Sequence, residues 1–163
     1  MPSNGESLSM EYSDNILHAA YLKHCYIHAL AHSKCDTQCS SLILDTLKGI
    51  ILAAENIKSN DWYYCNSNHN LIYRCTKRGI PSFQTDLYCP MYPSSGDCIL
   101  LRESGIRSVT FHKEYSDLVY PEWKTCNSLT FLPENGIEVR CFTGKVTKTD
   151  LHISIEGGKT FCP

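Results

Sequence analysis

The side chains best suited to chemistry in this 163-residue chain gather in two short segments, Cys65-Asn66-Ser67-Asn68-His69-Asn70 and Cys89 through Pro93-Ser94-Ser95-Gly96-Asp97-Cys98. Thiolate sulfur and imidazole nitrogen are ligand types that zinc takes, so Cys65, His69, Cys89 and Cys98 could hold a metal that activates water. The plainer reading is ordinary, part-buried thiols beside a cleft. His24, His28 and His32 fall at i, i+4 and i+8. That spacing suits a metal-binding stripe, but also the polar face of a helix whose other side carries Ile16, Ala20, Ile27 and Leu30, which is the simpler assignment. Cys35 and Cys39 are four apart with no second matching pair, so they do not make a zinc module. Gly157-Gly-Lys-Thr160 imitates the end of a phosphate-binding loop, but Ile153 stands where the upstream glycine belongs, and a C-terminal tail is expected there instead. Lys145 and Lys148 read as a solvated loop.

The elements that must position these groups are legible from periodicity and punctuation. Met1 to Tyr12 is polar and reads as a loose tail; Ser13 and Asp14 supply a cap for a helix over Asn15 to His32. Ser41 to Leu44 and Gly49 to Ala54 are short apolar runs that predict a hairpin. A polar turn from Asn56 to Asp61 leads to a second helix, Asn68 to Lys77, closed by Gly79 with Pro81 beyond it. Strands are expected at Asp86 to Cys89, Arg107 to Phe111, Gly136 to Phe142 and Leu151 to Ile155. Helices are expected from Asp97 to Ser104 and between Pro121 and Glu134. An opening hairpin followed by alternating helices and strands predicts an α/β fold, a three-layer α/β/α sandwich with a mixed sheet, parallel in its second half. In such sheets ligands collect where strands end and helices begin, so the two chemistry-bearing segments should face each other across a cleft.

Composition narrows the class. One domain, residues 13–156 with tails at 1–12 and 157–163, is expected from the length and the 42% hydrophobic content. Fifteen Lys and Arg against 17 Asp and Glu leave a net charge of −2, which gives no broad attraction to nucleic acid or to a membrane. The polar N-terminus does not read as a secretory signal, so a cytoplasmic protein with reduced cysteines is expected.

The ordered fragments Ser33-Lys-Cys35, Ile50 to Asn56, Ser104-Gly-Ile106 and Gly136-Ile-Glu-Val139 resemble the cytidine and deoxycytidylate deaminases, closest to the phage-like dCMP deaminases, over about Tyr21 to Ile155. Those enzymes place H-x-E at one helix start and P-C-x-x-C at another and bind zinc between them. The resemblance implies the deaminase fold, oligomeric assembly, a nucleotide-contacting role for Asn56, three zinc-ligand positions and one catalytic-glutamate position. Here Asn66 stands at the ligand histidine and Asn68 at the catalytic glutamate, while Ser94 and Asp97 stand at the two cysteines.

Those departures decide the expected function. A zinc-bound water reaches a pKa of about 7 only when imidazole and thiolate hold the metal in an open site. Deamination also needs a carboxylate to shuttle protons, which the Asn68 amide cannot do. The expected protein is a non-catalytic pseudo-deaminase without zinc. It would bind a nucleotide-like ligand through Asn56, Asn66, Asn68 and Ser94, or assemble as a homo-oligomer or with an active deaminase. The alternatives are a zinc deaminase using the relocated Cys65, His69, Cys89 and Cys98, and a purely structural subunit. Nine residues, Ile57 to Cys65, separate Asn56 from the aligned histidine position, a shorter segment than dCMP deaminases carry. Trp62 and Trp123 suit an interface or a core equally.

Overall fold

The computed structural model describes residues 10–60 and 63–163. Trp62 and most of the expected N-terminal tail lie outside them. The first element of the described residues is strand β1 (Glu11–Ser13), which takes Ser13 away from the capping role read in the sequence. Asn15 caps helix α1 (Ile16–His32) instead, its Oδ1 accepting the Leu17 N–H at 2.9 Å. The helix buries Leu22, Cys25, Tyr26 and Ala29. Ile16, Ala20, Ile27 and Leu30 therefore face solvent, which reverses the expected buried side. Apolar residues occur around most of this helix, so its histidines could not fix the orientation. His28 is half-buried and bonded to Glu55 at 3.0 Å, while His24 and His32 are exposed.

Strands β2 (Ser40–Asp45) and β3 (Gly49–Glu55) form the expected hairpin, with a register shift at Ile43/Leu44. The following polar segment is a second hairpin rather than a plain turn, β4 (Ile57–Asn60) against β5 (Tyr63–Cys65). Helix α2 (Ser67–Arg78) ends on Gly79, whose φ of 63° is the left-handed C-cap that glycine supplies without steric cost. After β6 (Asp86–Tyr88) comes α3 (Ser95–Glu103), which starts two residues before Asp97 because Ser94 is its cap. Strand β7 (Ser108–His112) runs directly into α4 (Lys113–Val119), a helix with no sequence signal because no Gly, Pro or cap residue separates the two. The single helix expected from Pro121 to Glu134 is a 3₁₀ segment (Pro121–Thr125) and then α5 (Ser128–Glu134). The chain closes with β8 (Glu138–Phe142), β9 (Ile153–Ile155) and β10 (Lys159–Phe161).

The main sheet is mixed and six-stranded, in the order β1-β8-β7-β6-β2-β3. β1, β8, β7 and β6 are parallel, and β2 is antiparallel to both its neighbours. Alternation along the strands sends Leu87, Val109, Phe111, Val139 and Cys141 into one core with residues of α2, α3 and α5, where Trp123 is also buried. Leu42, Leu44, Tyr88 and Phe142 point the other way, into a second core under α1. Each fully buried Leu, Ile or Phe adds about 1.5–3 kcal/mol, so both faces contribute substantially. β9 does not join the sheet. It pairs with β10, so the expected tail at 157–163 is half of a hairpin that turns through Gly157 and Gly158. Among the described residues no helix is long and apolar enough to cross a membrane.

Candidate functional site

Helices α2 and α3 begin side by side, and their first turns carry the four positions singled out in the sequence. Asn66 caps α2, its Oδ1 accepting the His69 N–H at 2.9 Å. Ser94 caps α3 through a reciprocal capping box: its Oγ accepts the Asp97 N–H at 3.3 Å and its own N–H donates to Asp97 Oδ2 at 3.0 Å. The two caps are then joined through Asp97, which is completely buried. Asn66 Nδ2 donates to Asp97 Oδ1 at 2.8 Å and Asn68 Nδ2 donates to Oδ2 at 3.3 Å. His69 Nδ1 lies 2.8 Å from Asp97 Oδ1 and 3.0 Å from Asn66 Oδ1. Both of those atoms are acceptors, so Nδ1 carries the hydrogen. The carboxylate thus accepts from four groups, which is the condition under which a charge is stable away from water.

Behind this cluster lies a second layer. Ser41 Oγ donates to Asn68 Oδ1 at 2.6 Å and bonds Ser67 Oγ at 2.7 Å. Ser67 Oγ in turn lies 3.7 Å from Cys39 Sγ and 3.9 Å from Cys89 Sγ, all of them buried. Asn68 is therefore held at both ends of its amide. Sequence reading missed Ser41 and Ser67. The available signal was the Ser40-Ser41 pair opening an otherwise apolar strand, where hydroxyls need partners.

A zinc ion does not fit these residues. Asn66, Asn68, Ser94 and Asp97 use their polar atoms on one another, and of the four only the Asp97 carboxylate is a ligand type that zinc takes. The relocated set does not converge either. Cys89 belongs to the core under α1 and Cys98 to the core on the opposite face of the sheet. Cys65 Sγ reaches the Asn66 carbonyl at 3.6 Å, and His69 is turned to Asp97. Among the described residues no three His, Cys, Asp or Glu side chains are placed to hold a metal. Burial pushes the Cys98 thiol up to about 12 and raises Cys65, so both favour the thiol over the ligating thiolate. All ten cysteines are free, and only Cys162 is exposed.

Asn56 is separate from this cluster. It is buried rather than an exposed turn residue, and its amide organises the loop before β2. Oδ1 accepts from Ser33 Oγ at 2.5 Å and from Cys39 N–H at 3.1 Å, while Nδ2 donates to the Thr37 carbonyl at 2.7 Å and to the Tyr64 hydroxyl at 3.4 Å. The Tyr64 ring forms one wall of a groove of about 390 Å³ with Cys35, Thr37, Met91 and Val119, rimmed by Asp36, Lys58 and Glu156. Burial holds the Tyr64 phenol at about 12, so it stays neutral. Five cavities among the described residues are lined by side chains other than Asn66, Asn68, Ser94 and Asp97. The aligned positions meet as a mutually hydrogen-bonded cluster.

Comparison with solved structures places this arrangement. The dCMP deaminase of cyanophage S-TIM5 in complex with dCMP and dUMP superposes with a TM-score of 0.59 at 13% identity, covering 77% of this chain and 96% of that one. The fold is that of the cytidine deaminases. RibD of Acinetobacter baumannii matches with a TM-score of 0.54 at 10% identity over 78% of this chain and 35% of its own. A mutant of NE0047 in complex with 8-azaguanine matches with 0.53 at 12% identity, covering 85% and 90%. No family model matches the sequence, and no curated protein matches it. At these identities the likeness establishes the deaminase fold, and the chemistry has to be read from the side chains themselves.

Proposed function

We propose that this chain is a non-catalytic protein on the deaminase fold, acting by binding a nucleotide-like ligand and by assembling with a partner. One observation carries the reading. A buried carboxylate, Asp97, accepts hydrogen bonds from Asn66, Asn68, His69 and the Ser94 backbone at the place where the resembled enzymes gather zinc ligands and a proton-shuttling glutamate. An anion surrounded by donors replaces a cation surrounded by anionic and imidazole ligands. Asn68 is buried and its amide does not titrate, so the position aligned with the glutamate cannot move a proton between water and a ring nitrogen. The groove walled by Tyr64, Met91 and Val119 is of a size that accepts a small aromatic ligand, which supports the binding part of this reading.

The test is the metal content of protein purified without added zinc, read by elemental mass spectrometry, with dCMP and cytidine deamination assayed on the same sample. Sub-stoichiometric zinc and no turnover are expected. A variant restoring the aligned residues, Asn66→His, Asn68→Glu, Ser94→Cys and Asp97→Cys, serves as the positive control for zinc uptake. One equivalent of zinc with turnover, both lost on replacing Cys65 or Cys98, overturns the proposal in favour of relocated ligands. Failure of dCMP to bind, with Tyr64→Ala unchanged from the parent, removes the ligand half of the proposal and leaves a structural subunit.

A further inference from the structure

We propose that the solvent face of α1 pairs with a second copy of this chain, antiparallel, about a two-fold axis at Lys23. This deepens the assembly side of the function proposed above and does not depend on its catalytic side. Ile16, Ala20, Lys23, Ile27 and Leu30 recur at steps of four and three residues, which places them in one stripe on the helix. The stripe lies well round the helix from the Leu22, Cys25, Tyr26 and Ala29 face that packs on the sheet. Ile16 is 82% exposed, Ile27 43% and Leu30 44%, and Ala20 is exposed as well. A lone exposed leucine is ordinary on a soluble protein. Apolar side chains held in heptad register along a stripe about 21 Å long are not, because that is the pattern of a helix–helix seam.

The occupant follows from the self-complementarity of the stripe. A two-fold axis at Lys23 sets Ile16 against Leu30 of the second copy, and Ala20 against Ile27, a small side chain opposite a large one. The charges agree. α1 itself carries no Asp or Glu; Asp14 stands before its first turn, and at its other end Lys34 is followed by Asp36, which is already paired with Lys58 at 3.7 Å, so Lys34 is left as the cation there. An antiparallel pair brings Asp14 of each copy beside the His32–Lys34 end of the other, where Lys34 supplies the opposite charge, whereas a parallel pair sets like against like. The two Lys23 ammonium groups meet near the axis and turn outward to water, which opposes tight association. A single pair of helices of this length also buries less than the roughly 800 Å² per partner of a standard interface, so the dimer is weak and reversible.

Sedimentation velocity of the full chain over a range of concentrations tests this. A monomer–dimer equilibrium is expected, weakened by about tenfold or more in Ile27→Glu. Lys23→Leu should tighten it, an effect that misfolding does not produce. Asp14→Lys should weaken it, and adding His32→Asp should restore it. A protein that stays monomeric at every concentration, or a dimer indifferent to Ile27→Glu and Lys23→Leu, overturns the proposal. Zinc content and deamination are measured separately, so a monomer without zinc sinks only the pairing, and a dimer that turns over dCMP sinks only the non-catalytic reading.

Discussion

Asp97 shows how one buried carboxylate can organise two helix starts. The N-termini of α2 and α3 converge, and the gap between them is filled by Asp97 and its donors. Removing that carboxylate strands the amide groups of Asn66 and Asn68 and the Ser94 N–H in a buried space. Asp97→Ala should therefore cost about 3 kcal/mol or more in urea-induced unfolding, in the range for breaking a buried charge network. Ser94→Ala removes only a cap and should cost about 1 kcal/mol. Equal losses would mean that Asp97 acts through its capping box alone. The sequence reading set Asn66, Asn68, Ser94 and Asp97 on two facing helix starts, and the structure bonds them to one another. It could not show that His69 turns inward to Asp97, nor that Asn56 is buried and fully bonded, because hydrogen-bond partners 20 or 30 residues away leave no local signal.

At the scale of elements, punctuation residues were the reliable guide. Gly79 ended α2 where expected, and Pro93-Ser-Ser-Gly marked the approach to α3. Where punctuation was missing the reading failed, as at the uninterrupted passage from β7 into α4. Two glycines with similar positive φ separate conformational cost from packing cost. Gly79 has a φ of 63° and open space where a Cβ would stand, so Gly79→Ala should lose about 1 kcal/mol from the left-handed backbone alone. Gly105 has a φ of 69°, and a Cβ there would meet Phe83 Cδ2 at 2.6 Å and Phe83 Cα at 3.4 Å. Gly105→Ala should lose clearly more, since Phe83 must move. In the background Phe83→Ala the Gly105→Ala penalty should fall back toward that of Gly79→Ala, a coupling that thermal or urea unfolding of the four variants can read. Additive losses would show that the contact with Phe83 carries no strain.

At the scale of the whole molecule, the two faces of the sheet are covered unequally. α2, α3 and α5 close one side, whereas among the described residues α1 is the one long helix on the other, and it leaves the core around Tyr26 and Tyr115 to be completed by something else. The β9–β10 hairpin does this. Phe161 lies with ring centroids 6.0 Å from Tyr26, 5.7 Å from His112 and 5.4 Å from Tyr115, joining an aromatic group that Tyr26 and His112 tie together by a 2.6 Å hydrogen bond. Three-residue strands carry too little periodicity to be read from sequence, and a Gly-Gly-Lys-Thr turn resembles a tail as readily as a hairpin, so this closure was invisible beforehand. If the hairpin is structural, Phe161→Ala removes a half-buried ring from that group. It should then cost about 2 kcal/mol, less than the 3–5 of a fully enclosed phenylalanine because part of the ring already meets solvent. Urea unfolding followed by tyrosine fluorescence measures the loss. A change within about 0.5 kcal/mol, the ordinary range for surface substitutions, would make the last seven residues an appendage and leave the α1 face closed without them.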